Sequence, residues 1–261
     1  MVSLEKITSQ GKVLFLAYDQ GLEHGPSDFN DENIDPGYIL KIGVEGGYTG
    51  IIFQKGVAEK YYTSALWAGD LQGRIPLIVK LNGKTSLVRD NDPFAPLLCS
   101  VEEAIALGAS AVGYTVYVGS SYENDMTSQL ARIVYKAHEK QIPVIAWMYP
   151  RGKAVNEKFQ TIPGKKELTA YAARIGMELG ADIIKLQYPG SLDALTLAVK
   201  EAGKTKVVVS GGAKMDEETF LRTARSIMQS GAIGMAIGRN IWQDKDPLSL
   251  TKKIKEIVFT K

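Results

Sequence analysis

Cysteine and histidine are almost missing from this chain: Cys99 stands alone, and His24 and His138 are the two histidines in 261 residues. A lone cysteine excludes an intramolecular disulfide and fits a reducing compartment. A catalytic zinc site usually draws on two or three histidines, or on histidine with cysteines, so the composition argues against a zinc enzyme. A carboxylate-held magnesium stays open, though no acidic cluster asks for it. Charge of one sign is lacking too. With 31 basic and 29 acidic residues the formal net charge is +2, which argues against a nucleic-acid or membrane-surface binder. Lys252, Lys253 and Lys255 read as the solvated face of a last helix. No apolar run approaches the roughly 18 residues of a membrane span. Met1 to Gly11 has no signal-peptide core, so a cytoplasmic location is expected.

Short apolar runs, by contrast, recur along the whole length. They are Val13–Ala17, Gly50–Phe53, Pro76–Val79, Ala111–Val116, Pro143–Trp147, Ile183–Leu186, Lys206–Val209 and Ile233–Ile237. Their continuous apolarity suits parallel strands buried on both faces. Helical patterns separate most of them. Ser100-Val101-Glu102-Glu103 is a capping box that opens a helix ending near Gly108. Helices are also predicted over Met126–Glu139, Leu168–Leu179, Leu192–Ala202 and Glu217–Gln229, with Gly180, Gly203 and Gly231 after the last three. Val88 to Leu98 and Lys153 to Lys165 read as longer loops. The pattern predicts one α/β domain over residues 1–261, a single (β/α)8 TIM barrel. The competitor is an open doubly wound sheet, but Tyr18-Asp19-Gln20-Gly21-Leu22-Glu23-His24-Gly25-Pro26 after the first strand is not its glycine fingerprint.

Functional residues of a barrel sit at the C-terminal ends of its strands. Those ends are polar here. Strand one offers Asp19 and Gln20, strand two Gln54 and Lys55, strand three Lys80 and Asn82, and strand four Tyr114 and Tyr117. Strand five offers Trp147, Tyr149 and Arg151, and strand six Lys185 and Gln187. Lys185 is the most informative, because it sits in the apolar run Ala181 to Leu186. An amine held in an apolar pocket loses its charge more readily and becomes a nucleophile for a carbonyl. The alternative is a lysine whose stem lines the sheet while its head reaches solvent or a carboxylate.

Strands seven and eight run into Ser210-Gly211-Gly212-Ala213-Lys214 and Gly238-Arg239-Asn240. Glycines there let backbone N–H groups approach a phosphate, and Arg239 adds a bidentate contact. Two ordinary glycine turns are the alternative. A phosphorylated ketone anchored there presents its carbonyl to Lys185, with Asp19 and Tyr149 placed to relay protons. Asp19 also reads as a turn residue before Gly21, and Tyr149 as an amphipathic rim residue beside Pro150.

Several longer runs resemble one family. They include Leu16 to Pro26, Phe53-Gln54-Lys55-Gly56-Val57-Ala58-Glu59-Lys60-Tyr61-Tyr62, Lys80-Leu81-Asn82-Gly83-Lys84-Thr85 and Gly108 to Thr115. Trp147-Met148-Tyr149-Pro150-Arg151-Gly152, Ser210-Gly211-Gly212 and Ile237 to Gln243 continue the series. From about Gly11 to Gln243 the chain resembles archaeal-type class I fructose-1,6-bisphosphate aldolases, the DhnA-like Schiff-base family. The resemblance implies a (β/α)8 barrel, reversible aldol cleavage of a phosphosugar, no metal or cofactor, and often a homodecamer of two pentameric rings. By position, Lys185 resembles the Schiff-base lysine, Tyr149 the general acid/base, Asp19 the first-strand acid and Trp147 a substrate-placing wall. Ser210, Gly211, Gly212, Gly238 and Arg239 resemble the C1-phosphate site.

Two departures stand out. Gln20 replaces a histidine of many members, and Gln187 a second lysine of some. The second removes a positive neighbour that would help lower the Lys185 pKa. Lys158, Lys165 and Lys166 fall near a rearranged loop, and Arg151 and Lys55 are the candidates for the C6 phosphate. A related transaldol synthase acting on another phosphosugar and a non-catalytic phosphosugar-binding barrel are the competing functions.

Overall fold

A computed structural model of the chain describes residues 2–63, 75–87 and 91–260. Eight parallel strands close into a barrel in sequence order, with the first also pairing to the eighth. They are β1 (Val13–Ala17), β2 (Gly50–Gln54), β3 (Leu77–Lys80), β4 (Ala109–Val118), β5 (Val144–Pro150), β6 (Ile183–Leu186), β7 (Lys206–Ser210) and β8 (Gly234–Ile237). Each expected strand is present, and β4 and β5 extend past the predicted ends.

The surrounding helices are α1 (Pro36–Glu45), α2 (Val101–Ala106), α3 (Glu123–Glu139), α4 (Ile162–Glu178), α5 (Leu192–Glu201), α6 (Glu217–Gln229) and α7 (Pro247–Phe259). Local chemistry starts them. The Ser100 capping box is complete, and Asp35, Thr161, Ser191, Asp216 and Asp246 each accept a backbone N–H of their helix. Gly180, Gly203 and Gly231 follow their helices with positive φ, where a side chain would be strained. Among the C-terminal lysines, Lys253 pairs with Glu217, and Lys255 reaches back to the Gly46 carbonyl at 2.9 Å.

Two expectations need correction. Residues 153–165 are largely helical: a short helix covers Asn156–Phe159, and α4 begins at Ile162 rather than Leu168. Thr161 caps that earlier start and Pro163 occupies its first turn, a signal that apolar periodicity does not carry. Likewise α3 starts before Met126, in the acidic turn Glu123 to Asp125, where negative charge suits the helix N-terminus. Of the predicted 88–98 loop, residues 88–90 lie outside the described residues.

The core has two layers, set by the two-residue period of a strand. Val13, Phe15, Ile52, Ile78, Ala111, Ile145, Ile183 and Val208 fill the barrel lumen, with Ile7 among them from below. Residues of opposite parity, such as Leu14, Leu16, Ile51, Val79 and Ile184, pack outward against the helices. Tyr114 belongs to the outward set, its hydroxyl donating to Gln129 at 2.7 Å, so it does not face the mouth as expected. Thr115 and not Tyr114 lines the mouth from β4.

Candidate active site

The same period that fills the lumen builds the mouth. Two residues beyond Ile183, Lys185 points inward, and two beyond Ile78, Lys80 does so. Trp147 and Tyr149 follow Ile145 on β5, Asp19 follows Ala17, and Ser210 follows Val208. They converge on one pocket at the C-terminal ends of the strands. Gln20, Arg151, Gly211, Gly212, Gly238 and Arg239 complete its wall as expected.

Lys185 is 5% exposed, and its Nζ lies 4.6 Å from the centre of the Trp147 ring. Burial draws its pKa down to about 8, with Lys80 acting in the same direction and Asp19 against it. Among the described residues no carboxylate reaches ion-pair distance of this amine. Lys80, the second buried lysine, differs on that point. Its Nζ lies 3.7 Å from Asp19 Oδ2 and 5.3 Å from the same Trp147 ring. Burial lowers its pKa while Asp19 opposes the change. Gly113 makes the platform possible, since a Cβ there would stand 2.1 Å from the Trp147 ring. Sequence reading placed Lys80 at a strand end but gave it no role. The missed signal was its parity: it stands two residues after a lumen residue, as Lys185 does.

Tyr149 is half-buried beside the lysines. Burial and the nearby Asp19 push its phenol well above the ordinary tyrosine range, so it is a neutral proton donor at working pH. Arg151 is held over two rings, 5.6 Å from the centre of Tyr149 and 5.5 Å from that of Tyr117. Glu23, on the short helix Gly21–His24, orients it. Arg151 donates to Glu23 Oε1 at 3.0 Å and the Tyr117 hydroxyl donates to the same oxygen at 3.1 Å. Sequence reading gave Glu23 no role. Two buried donors have no partner among the described residues of this site, Gln20 Nε2 and the indole Trp147 Nε1. An unmade buried hydrogen bond costs about 1–3 kcal/mol, so both are suited to an oxygen-rich ligand.

At the β7 and β8 ends, Gly212 has φ +73° and a Cβ on Gly238 would stand 2.8 Å from the Ala17 carbonyl. Asn240 staples the first loop. Its amide donates to the Gly211 and Ala213 carbonyls at 2.9 and 2.8 Å and accepts from the Met215 N–H at 2.8 Å. The Gly211 N–H is committed to the Ala236 carbonyl at 3.0 Å, so this amide does not point at an anion as expected. Arg239 lies 3.6 Å from Asp28 and donates weakly to the Gly212 carbonyl at 3.4 Å. Lys214 is turned away onto Asp244 at 2.8 Å.

The candidate Lys55 and the three lysines of the rearranged loop are elsewhere. Lys55 lies outside the pocket wall and pairs with Glu103 at 3.0 Å, because the first residue after β2 turns outward toward the capping box. Lys158 pairs with Glu167, Lys166 with Asp193, and Lys165 covers the Phe159 ring. The short helix Asn156–Phe159 and the earlier start of α4 hold them in these pairs, outside the pocket wall. Among the described residues no group of three or more His, Cys, Asp or Glu side chains is placed to hold a metal.

A closed parallel barrel with an unpaired buried amine at its mouth defines an amine-catalysed carbonyl enzyme. Residues 13–244 match the DeoC/LacD family aldolase, and the chain belongs to that family. It is 48% identical over 254 residues to the class 1 fructose-bisphosphate aldolase of Thermoproteus tenax, covering 96% of this chain and 90% of that protein. Identity to the Halobacterium salinarum class 1 fructose-bisphosphate aldolase is 39%, over 97% of this chain and 92% of that one. The fold superposes with a TM-score of 0.89 on a solved archaeal fructose-1,6-bisphosphate aldolase whose catalytic lysine is covalently bound to the carbinolamine intermediate. That pair is 45% identical over 98% of each chain.

Proposed function

We propose that this chain is a class I, Schiff-base-forming fructose-1,6-bisphosphate aldolase. The observation that carries the reading is Lys185: a buried amine with a lowered pKa and no carboxylate partner among the described residues, aimed into a pocket that ends in two glycine turns and Arg239. Lys185 attacks the ketose C2 carbonyl, and the carbinolamine loses water to give an iminium. The C4 hydroxyl then loses its proton as the C3–C4 bond breaks toward the iminium, releasing the aldehyde. The enamine left behind takes a proton at C3, and water hydrolyses the resulting iminium to release the ketone and free Lys185. Tyr149 and Asp19 face those intermediates and relay their protons, while Trp147 walls the site against water. Gln20 Nε2 and Trp147 Nε1 supply the donors that sugar oxygens satisfy. Ser210, Gly212, Gly238 and Arg239 form the C1-phosphate end, and Arg151 is the cation left near the other end.

A homodecamer of two pentameric rings, a cytoplasmic location, one domain over residues 1–261, and a place in glycolysis or gluconeogenesis belong to the same proposal. No helix among the described residues is long and apolar enough to cross a membrane.

Borohydride trapping with dihydroxyacetone phosphate, followed by peptide mapping, tests the reading. A reduced adduct on Lys185 is expected, and its absence leaves only a phosphosugar-binding barrel. Cleavage of fructose 1,6-bisphosphate to triose phosphates without a second aldehyde separates the aldolase from a transaldol synthase. Turnover is expected to survive EDTA, and its loss would return the case to a metal enzyme.

A further inference from the structure

Among the described residues the mouth holds two buried lysines, and one of them has an anion. Lys80 and Lys185 arrive from opposite sides of the barrel, on β3 and β6, and both ammonium positions look onto the one Trp147 ring. Asp19 stands 3.7 Å from Lys80, while no carboxylate of the described residues is within salt-bridge reach of Lys185. Gln187, two residues after Lys185, cannot supply a positive neighbour on the same strand.

We propose that Lys80 is a positioning residue, which engages the Asp19 carboxylate and so leaves the Lys185 amine without an anionic partner and free to condense with a carbonyl. The proposal rests on the Schiff-base reading above and adds to it a second lysine with a different task. The physical reason is competition. A carboxylate at a low-dielectric barrel mouth pairs with whichever cation is nearest, and pairing holds an amine in its charged, non-nucleophilic form. A second cation over the same ring acts twice: it takes up the carboxylate, and its own charge disfavours another ammonium nearby. The direction of the Lys80 influence on Lys185 agrees with this geometry. The other charged or titratable groups of this mouth are Glu23, His24, Lys84, Tyr149, Arg151 and Arg239. Glu23 is occupied by Arg151, His24 and Arg239 face Asp28, and Lys84 donates to the Thr85 carbonyl, so Lys80 is the cation paired with Asp19.

The test is the pH dependence of adduct formation. Wild-type protein, Lys80→Met and Lys80→Arg are each trapped with dihydroxyacetone phosphate and borohydride across pH 5.5–9.5, and the modified lysine is mapped. The acid limb of Lys80→Met is expected to rise by about one pH unit, giving about tenfold less adduct on Lys185 at low pH. The gap should close at the alkaline end. Lys80→Arg, which keeps the charge, should restore the limb to near the wild-type position. An unchanged limb in Lys80→Met or a uniform loss at every pH overturns the proposal while leaving the Schiff-base reading standing, whereas an adduct mapped to Lys80 in place of Lys185 overturns the proposal and the Lys185 assignment together. A wild-type protein that forms no adduct overturns both. Lys80→Gln carries the same expectation where the methionine variant fails to fold.

Discussion

The floor and the mouth of this barrel are made by the same strands with the same inward parity, two residues apart, yet they do opposite things. Ile183, Ile145, Ile78 and Val208 fill the lumen and are fully buried. Their inward neighbours one step up are Lys185, Trp147, Lys80 and Ser210. The floor gains free energy by removing apolar surface from water. The mouth gives some of it up, holding two buried lysine amines and two buried donor atoms that have no partner among the described residues. What the contrast teaches is that the barrel's stability and its chemistry are separated along each strand rather than among strands. A two-residue step is enough to pass from one to the other.

Substitution can break that contrast. The largest effect is expected from Lys185→Met, which removes the nucleophile: aldol cleavage should fall by at least about 10³-fold, as for other essential catalytic groups. Because the change replaces a buried amine by an apolar chain of similar volume, Tm should not fall. A thermal melt beside the assay checks both, and retained turnover would remove Lys185 from its role. Tyr149→Phe keeps the ring and deletes the proton, so a loss of about 10²-fold in kcat is expected, within the span of general acid–base catalysis. Stopped assays on fructose 1,6-bisphosphate measure it, and a change confined to KM would contradict the assignment.

Floor substitutions should behave in the opposite sense. Ile183→Ala is expected to cost about 2–4 kcal/mol of stability, because the sealed lumen cannot collapse around the cavity. Urea unfolding measures this, and adduct formation by the folded fraction should persist. Gly113→Ala sharpens the comparison at the boundary, since the new methyl meets the Trp147 ring. A cost of about 1–3 kcal/mol is expected, with slower adduct formation as the platform under both lysines tilts. The smallest effect is expected from Lys55→Ala. Its ammonium is exposed and salt-bridged to Glu103, away from the pocket, so kcat/KM should stay within about twofold. A larger loss would place Lys55 back at the substrate.

Much of this was legible before any coordinates. Continuous apolar runs announce strands buried on both faces, and all eight strands fall where those runs lie. Lys185 was legible because a charge inside such a run is costly and demands a reason. Misplacements arose where polarity hides structure. The capped, acidic or proline-started first turns of α3 and α4 carry little apolar periodicity, so residues 156–165 looked like loop. Lys55 looked equivalent to Lys80 as a strand-end lysine. One residue of parity separates a side chain that enters the lumen from one that leaves it.

Taken alone, the order of amino acids determined the eight-fold alternation, the inward-facing amine, the glycine turns after β7 and β8 and the polar rim, because these follow from local period and from the cost of burying charge. Only the closed barrel decided which cation meets which anion. Lys80 and Asp19 lie 61 positions apart in sequence, and Arg151 and Glu23 128 apart. Ring closure brings each pair together at one mouth, where distance and low dielectric choose the partners and leave Lys185 without a carboxylate partner among the described residues.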